Sequence, residues 1–160
     1  MTRRPLTLAD RALLREATLA NMNWNTTRFT FDDLDATDEI AHYYTGFPAE
    51  GDFGLVDFDG DVARAVGWVV FLPEDDPGYG FVDADTPELS LTTFQGFRGQ
   101  GLGRDLLSEL IALASARGLP GISLSVEDGN GARRLYERAG FRVVGRNGDS
   151  DTMLLSLVRA

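Results

Sequence analysis

A glycine-rich turn is the segment of this sequence whose residue types and spacing point most clearly to chemistry. Residues 98–103 read Arg-Gly-Gln-Gly-Leu-Gly and join the strand-like run 89–94 to the helical run 105–111. Glycine lets the backbone approach a ligand closely, and the first amides of a helix are unpaired and lie at the positive end of its dipole. Such a turn favours phosphate. The candidate contacts are Arg98, Gly99, Gln100, Gly101, Leu102, Gly103 and Arg104, of which the two arginines could instead be ordinary surface residues.

Two common phosphate-binding motifs do not fit this turn. A Walker loop requires a lysine after its last glycine, and the chain contains no lysine. A dinucleotide fingerprint requires a third glycine at the position where this chain has Arg104. A dinucleotide-binding enzyme is therefore disfavoured, and a phosphate ligand of another kind is favoured.

The turn instead resembles the Arg/Gln-x-x-Gly-x-Gly/Ala signature of the GNAT family of N-acetyltransferases, in which it cradles the diphosphate of acetyl-coenzyme A (acetyl-CoA). Residues 130–141 read Asn-Gly-Ala-Arg-Arg-Leu-Tyr-Glu-Arg-Ala-Gly-Phe, which is similar to a helix of the same family that carries Leu-Tyr and ends in Gly-Phe. The order and separation of the two motifs fit, and the apolar run 121–126 lies between them, where the family has its fifth strand. The resemblance is specific over residues 88–146.

The resemblance implies both a fold and a cofactor. The fold would be α/β, with a mixed, mostly antiparallel central sheet flanked by helices and with strands four and five splayed apart, in a single domain over residues 1–160. Acetyl-CoA would be the co-substrate, with no metal. Its pantetheine arm would lie between the splayed strands against backbone groups of Thr92, Thr93 and Phe94. Asn130 would contact the coenzyme and also cap the following helix.

Acetyl transfer from a thioester to an amine needs a neutral amine, a stabilised oxyanion and a leaving thiolate. An alkyl amine with a pKa near ~10.4 is mostly protonated at neutral pH, so a carboxylate base acting directly or through water is useful. The resemblance makes Glu88 the candidate base, with Asp83 and Asp85 next, although Glu88 could equally end a strand in solvent. Tyr136 matches the family tyrosine that faces the coenzyme sulfur and is the candidate proton donor, although its spacing also fits a core-facing helix stripe.

The charge distribution bears on the acceptor. Residues 1–90 carry 6 arginines against 18 acidic residues, whereas residues 91–160 carry 9 against 7. The acidic part would repel nucleic acid and attract a cationic amine, although it could equally serve solubility alone. The long acidic connection at 73–86 is a candidate wall of the acceptor site. The candidate acceptor contacts are Trp24, Asp83 and Asp85, and Trp24 could instead pack in the core.

Composition narrows the remaining possibilities. The 160 residues, 43% of them apolar, suit one compact domain. No apolar run approaches the ~18 residues of a membrane span and no signal-peptide core follows the N-terminus, so we expect a cytoplasmic protein without a membrane partner. Because cysteine is absent, no cysteine can carry the acetyl group, which leaves direct attack in a ternary complex. A homodimer is compatible with the resemblance, but the sequence carries no interface signature.

Hydrophobic periodicity and turn residues predict the elements that position these side chains. Asp59-Gly60 between two apolar runs predicts a hairpin of strands two and three, and Gly118 would end the helix that the glycine turn begins. The predicted helices are 10–21, with Asp10 as N-cap, 32–44, 102–117 and 132–139. The predicted strands are 53–58, 62–72, 89–94, 122–126, 141–145 and 152–158, with residues 149–150 turning the last pair.

Two functions remain open at this point. The chain is either an acetyl-CoA-dependent N-acetyltransferase that acts on a primary amine of a small molecule or peptide, or a non-catalytic acyl-CoA-binding sensor module of the same fold. Tyr136 favours the enzyme, whereas the choice among several carboxylates for the base keeps the sensor open.

Overall fold

One mixed sheet runs through the whole fold. The computed structural model describes residues 2–157, and within them there are seven strands: β1 (Thr2–Pro5), β2 (Phe53–Asp59), β3 (Val62–Val70), β4 (Glu88–Thr93), β5 (Gly121–Glu127), β6 (Arg142–Asn147) and β7 (Ser150–Ser156). Their order in the sheet is β1-β2-β3-β4-β5-β7-β6. Neighbouring strands are antiparallel except β4 and β5, which are parallel.

The parallel strands β4 and β5 separate soon after they meet. Their only ladder pair among the described residues is Glu88 opposite Ser123, and the Ser123 amide donates to the Pro87 carbonyl at 3.0 Å. By contrast, β5 pairs with β7 along its entire length. The gap that opens along the rest of β4 confirms the predicted splay of strands four and five in a mostly antiparallel sheet.

Five α-helices flank this sheet in the part of the chain that the structure describes. Three precede β2, namely α1 (Arg11–Met22), α2 (Phe31–Ala36) and α3 (Asp38–Ala41), while α4 (Leu102–Ala116) connects β4 to β5 and α5 (Ala132–Ala139) follows β5. The α4 connection is the crossover that a parallel strand pair requires. Its buried side chains recur every three to four residues, as expected for a helix with one face on a core: Leu102, Leu106, Leu107, Leu110 and Ala114.

The sheet separates two hydrophobic clusters. Along β3, Ala65 and Val69 belong to the cluster that contains the apolar face of α4, whereas Val66 and Trp68 belong to the cluster formed with α1, α2 and α3. This alternation follows from the two-residue period of a strand. Because both faces are covered, β3 is buried along most of its length.

The predicted helix over residues 32–44 is wrong, because the chain breaks at Thr37. This residue is extended, with φ −111° and ψ 100°, and it separates α2 from α3. Its hydroxyl donates to the Asp33 carbonyl at 2.8 Å, which gives that carbonyl a side-chain partner at the end of the helix. After α3 the chain continues through turns over residues 42–46, so Tyr43 lies in a turn rather than in a helix.

Other boundaries differ in smaller ways. Asp10 occupies the N-cap position of α1, but its carboxylate accepts from the Thr7 amide and pairs with Arg4 at 2.8 Å instead of capping that helix. The sequence did not locate β1 or the 3-10 turn Leu8–Asp10. The last hairpin turns at residues 148–149, where Gly148 has φ +61°, rather than at 149–150. Residue 158 of the last predicted strand lies outside the described residues.

Several predicted elements are confirmed. The Asp59-Gly60 turn joins β2 to β3, and Gly118, with φ +72°, follows the end of α4. The strands and helices predicted over 89–94, 122–126, 102–117 and 132–139 lie within a residue or two of β4, β5, α4 and α5. Within residues 2–157, every helix is too short or too polar to cross a membrane.

Candidate active site

A cleft of about 810 Å³ opens where β4 and β5 diverge. Its walls come from the end of α1 and the following loop, the segment around residue 79, the glycine-rich turn at the start of α4, and α5. It therefore brings together residues that lie more than a hundred positions apart. Eleven of the residues singled out in the sequence line it: Trp24, Glu88, Thr92, Thr93, Arg98, Gly99, Gly101, Leu102, Gly103, Asn130 and Tyr136.

The glycine-rich turn has the geometry of an anion site. Gly99 and Gly101 have φ +80° and +79°, a left-handed conformation that glycine adopts without steric cost. Gly101 is the N-cap of α4, and no side chain caps this helix. The Asp105 amide donates to the Gly101 carbonyl at 3.1 Å, so the amides of the preceding turn are left for a ligand. These groups fit the diphosphate that the resemblance implies.

The start of α4 also lies directly against the end of β4. A side chain built at Gly103 would come within 3.4 Å of the Thr93 hydroxyl oxygen. The exposed Arg98 lines the cleft and donates from Nε to the Thr93 carbonyl at 3.3 Å. The anion site is thus adjacent to the gap between the strands.

Three predicted cofactor contacts do not line the cleft: Phe94, Gln100 and Arg104. The Phe94 amide donates to the Arg64 carbonyl of β3 at 2.9 Å, and its side chain packs against the cluster under α1. Arg104 is exposed and pairs with Asp105 at 3.6 Å. Neither residue lines the cleft, and neither does the exposed Gln100.

Glu88 is a buried carboxylate on the wall of the cleft. It is only 5% exposed, and its burial raises its pKa from 4.5 to about 7. The Tyr43 hydroxyl donates to Oε2, and both this hydrogen bond and the nearby Gly80 amide act to lower the pKa. Oε1 has no hydrogen-bond partner among the described residues. A buried carboxylate with a pKa near neutrality on the wall of a cleft is suited to proton transfer.

Tyr136 lies on the inner face of α5 and lines the same cleft. It is 8% exposed, its ring meets that of Phe141 edge-on at 5.8 Å, and burial raises the pKa of its hydroxyl to about 12. The phenol therefore keeps its proton at neutral pH. It can act as a donor to a group inside the cleft.

Asn130 and Trp24 both line the cleft. The Asn130 Oδ1 accepts from the Ala132 amide at 3.0 Å and so caps the first turn of α5. Trp24 lines the cleft and also a smaller recess of about 220 Å³ beside it, and its indole nitrogen is buried with no partner in residues 2–157.

The two predicted acceptor carboxylates do not reach the cleft. Asp83 and Asp85 are exposed in the loop before β4, where Asp83 accepts from the Asp85 amide at 2.9 Å. The same loop instead contributes Tyr79 to the lining. Within the described range, no group of three or more His, Asp or Glu side chains is placed to hold a metal ion.

Sequence reasoning missed Tyr43 and Tyr79. Tyr43 lies within the interval 32–44, for which the sequence predicts a helix. Tyr79 lies in the connection 73–86, where only the acidic residues suggest a role. The Tyr43 ring stacks near that of Tyr79, with centroids 6.4 Å apart. The two glycines flanking Tyr79 are the one local signal of a close approach: a side chain built at Gly78 would lie 2.1 Å from Glu88 Oε1.

Comparisons with known proteins identify a family and a fold. A family model described as the acetyltransferase (GNAT) family matches residues 18–141. No curated protein matches the sequence. Among solved structures, the yncA protein of Salmonella typhimurium, a candidate acetyltransferase solved with its cofactor acetyl-CoA, is 26% identical over 100% of this chain and 95% of that one, with a TM-score of 0.71.

Two further structures are similar. A ribosomal-protein-alanine N-acetyltransferase from Brucella melitensis is 25% identical, with a TM-score of 0.67 over 98% of this chain and 99% of that one. A spermidine N-acetyltransferase from Vibrio cholerae, in complex with CoA and spermine, is 18% identical, with a TM-score of 0.64 over 98% and 95% of the two chains. At that identity the likeness extends to the fold alone.

Proposed function

The chain belongs to the GNAT family of acetyltransferases, and we propose that it transfers the acetyl group of acetyl-CoA to a primary amine by direct attack in a ternary complex. The observation that carries the proposal is the position of Glu88: a buried carboxylate with a pKa of about 7 lines the same cleft as the uncapped start of α4. One cleft thus offers an anion site for the coenzyme and a proton acceptor for the amine.

The coenzyme would be held mainly by backbone groups. The amides at the start of α4 and the turn at Gly99 and Gly101 would bind the diphosphate, with Arg98 adding charge. The open edge of β4 at Thr93 would receive the pantetheine arm, because this part of the strand is not paired with β5. When bound, acetyl-CoA supplies the thioester carbonyl that the amine attacks.

Glu88 would accept the proton that the amine must lose. An alkyl ammonium ion with a pKa near ~10.4 cannot attack a carbonyl, whereas a carboxylate with a pKa of about 7 is largely ionised at physiological pH and can take that proton directly or through water. Tyr136 would donate a proton to the departing sulfur. Because a thiol with a pKa near ~8.5 leaves readily, we expect this second contribution to be smaller.

The acceptor end of the cleft favours an amine with an apolar or cationic body. Trp24, Tyr43 and Tyr79 line the cleft, and aromatic faces attract alkyl chains and cations. Of the residues lining the cleft, Arg98 alone is basic, and it lies at the coenzyme end. An acceptor with a carboxylate next to its amine would find no counter-ion in the cleft other than Arg98, so we expect simple amines and polyamines to be better acceptors than free amino acids.

The function is tested by release of CoA thiol from acetyl-CoA over a panel of amines: an arylalkylamine, a polyamine, a peptide N-terminus and a free amino acid. The protein has no cysteine, so it contributes no thiol background. Thiol release that depends on an amine, with the N-acetyl product identified by mass spectrometry, supports the enzyme. Binding of acetyl-CoA without thiol release from any amine would instead support the sensor module.

A further inference from the structure

The hydroxyl of Tyr43 sits between the candidate base and the loop that forms the acceptor wall. It accepts a hydrogen bond from the Tyr79 amide at 2.8 Å and donates one to Glu88 Oε2. A phenol has one proton to give, and an amide nitrogen cannot accept it. The Tyr79 amide therefore fixes the direction of the Tyr43 proton, which can point only to Glu88.

The rest of the molecule holds this tyrosine in place. Its backbone carbonyl accepts from the buried Trp68 indole at 2.9 Å, and its ring stacks with Tyr79 and meets His42 edge-on at 4.7 Å. Gly78 packs directly against the hydroxyl, because a side chain built at this position would lie 2.6 Å from the Tyr43 hydroxyl oxygen. The hydroxyl thus has a fixed position and a fixed proton.

This contact opposes the effect of burial on Glu88. Burial disfavours the carboxylate, whereas a hydrogen bond donated to the carboxylate favours it. The groups that face Glu88 with a proton or charge are Tyr43, from the turn after α3, and the Gly80 amide and Tyr79, both from the loop before β4. No arginine or histidine in the described residues forms an ion pair or hydrogen bond with Glu88, so Tyr43 is its one side-chain donor there.

We propose that Tyr43 is a positioning residue that holds the Glu88 carboxylate ionised and oriented, with Oε2 occupied by the Tyr43 hydroxyl. The inference rests on the proposed function for its chemical meaning, but the hydrogen-bonded unit itself can be tested without turnover. It also connects the acceptor wall to the base, because the amide that orients the Tyr43 proton belongs to that wall.

Tyr43→Phe tests the proposal, with Tyr44→Phe as the matched control. The Tyr44 hydroxyl also donates to a carboxylate, that of Asp35 at 2.6 Å, but it does not line the cleft. The titration of Glu88 can be followed by NMR in protein carrying carboxyl-labelled glutamate, with the Glu88 signal assigned by its loss in Glu88→Gln. We expect the pKa of Glu88 to rise by about one unit in Tyr43→Phe and to stay at the wild-type value in Tyr44→Phe.

Kinetics give a second readout. The rising limb of kcat against pH, measured with a saturating amine, should move to higher pH by the same amount in Tyr43→Phe, so that the rate falls about tenfold below neutrality and recovers at alkaline pH. A Glu88 titration that is unchanged in Tyr43→Phe, or a rate lowered equally at every pH, would overturn the proposal. Failure of the wild-type protein to acetylate any amine would refute the proposed function alone, since the titration does not depend on turnover.

The wild-type protein provides a check if Tyr43→Phe does not fold. The Tyr43 hydroxyl proton should exchange slowly with water, and its resonance should shift with the same midpoint as the Glu88 carboxylate. A hydroxyl proton that exchanges freely, or one whose resonance ignores the Glu88 titration, would contradict the assignment.

Discussion

Burial of Glu88 makes ionisation of its carboxyl group unfavourable for the stability of the fold. Its ordinary pKa is 4.5 and burial raises this to about 7, so between these values the folded chain holds a proton that the unfolded chain releases. Its contribution to stability is therefore complete below pH 4.5 and is lost as the pH rises through 7. A shift of this size corresponds to about 3 kcal/mol.

Glu88→Gln should remove this pH dependence. At pH 8 the variant should gain free energy of unfolding relative to the wild type, by up to about 3 kcal/mol more than it does at pH 4.5, because glutamine carries no charge to bury. Denaturant unfolding of both proteins at the two pH values measures the difference, in which the titrations common to both proteins cancel. A difference that stays constant with pH would show that Glu88 has an ordinary pKa.

Tyr136→Phe distinguishes a proton donor from a packing residue. The ring fills the same space against Phe141, so coenzyme affinity and stability should change little, whereas loss of the hydroxyl should lower kcat by about 10²-fold. Steady-state kinetics with acetyl-CoA as the varied substrate separates the two effects. A raised KM for acetyl-CoA with an unchanged kcat would assign Tyr136 to packing.

The sequence could single out Glu88 and Tyr136 as candidates because each lies in or beside a motif that resembles a known family, and both line the cleft. It could not identify Tyr43, since the contact that matters joins positions 45 residues apart and depends on how the chain turns after α3. It also assigned Asp83 and Asp85 to the acceptor site on charge alone, whereas the loop turns its aromatic residue towards the cleft and leaves these two carboxylates exposed.

At the scale of elements, α4 is bounded by two left-handed glycines, Gly101 and Gly118. The first begins the helix beside the cleft, and the second follows its far end. Both positions impose a similar backbone cost on any other residue, roughly 1–2 kcal/mol. They differ in that the Gly101 end presents unpaired amides to a ligand, whereas the Gly118 end presents carbonyls.

Gly101→Ala should therefore weaken coenzyme binding, and Gly118→Ala should not. A side chain at 101 would also lie 3.2 Å from the Arg104 guanidinium, whereas one at 118 would meet no atom within 4 Å. We expect both variants to lose similar stability by thermal melting, and the Kd for CoA, measured by calorimetry, to rise about tenfold in Gly101→Ala alone. Equal affinities for CoA in the two variants would show that the diphosphate does not bind at the start of α4.

Elements with strong local signals were predictable from the sequence, and one without them was not. The Asp-Gly hairpin and the glycine-bounded α4 follow from local backbone preferences. The interval 32–44 shows helical spacing, but it divides at Thr37, where a side chain competes for a helix carbonyl. The break also depends on the surrounding fold. Leu34 in α2 and Ile40 in α3 are both buried in the hydrophobic cluster that these helices form with α1, and local spacing does not reveal this packing.

For the whole molecule, the negative net charge and the aromatic lining of the cleft both favour the cationic acceptor proposed above. The formal net charge is −10, and most of the acidic excess lies before residue 91. The field of such a surface extends over about one Debye length, ~10 Å at 0.1 M salt. It therefore attracts a cation that comes within this distance of the surface.

We expect the KM for a polyamine, measured with saturating acetyl-CoA, to rise several-fold between about 20 mM and 300 mM salt. A monoamine with a single positive charge should show a smaller rise, because the attraction scales with the charge of the acceptor. A polyamine KM that is independent of salt would indicate that the acidic surface serves solubility alone.

The most direct test of acetyl transfer through Glu88 is the pH dependence of kcat/KM for the amine, expressed as the ratio of wild type to Glu88→Gln. This ratio cancels the ionisation of the acceptor, which is the same in both reactions. A ratio that is small below pH 6, rises through pH about 7 and then levels would match a buried carboxylate that must lose its proton before it can act as base. A ratio that stays constant from about pH 5.5 to 9 would contradict this role.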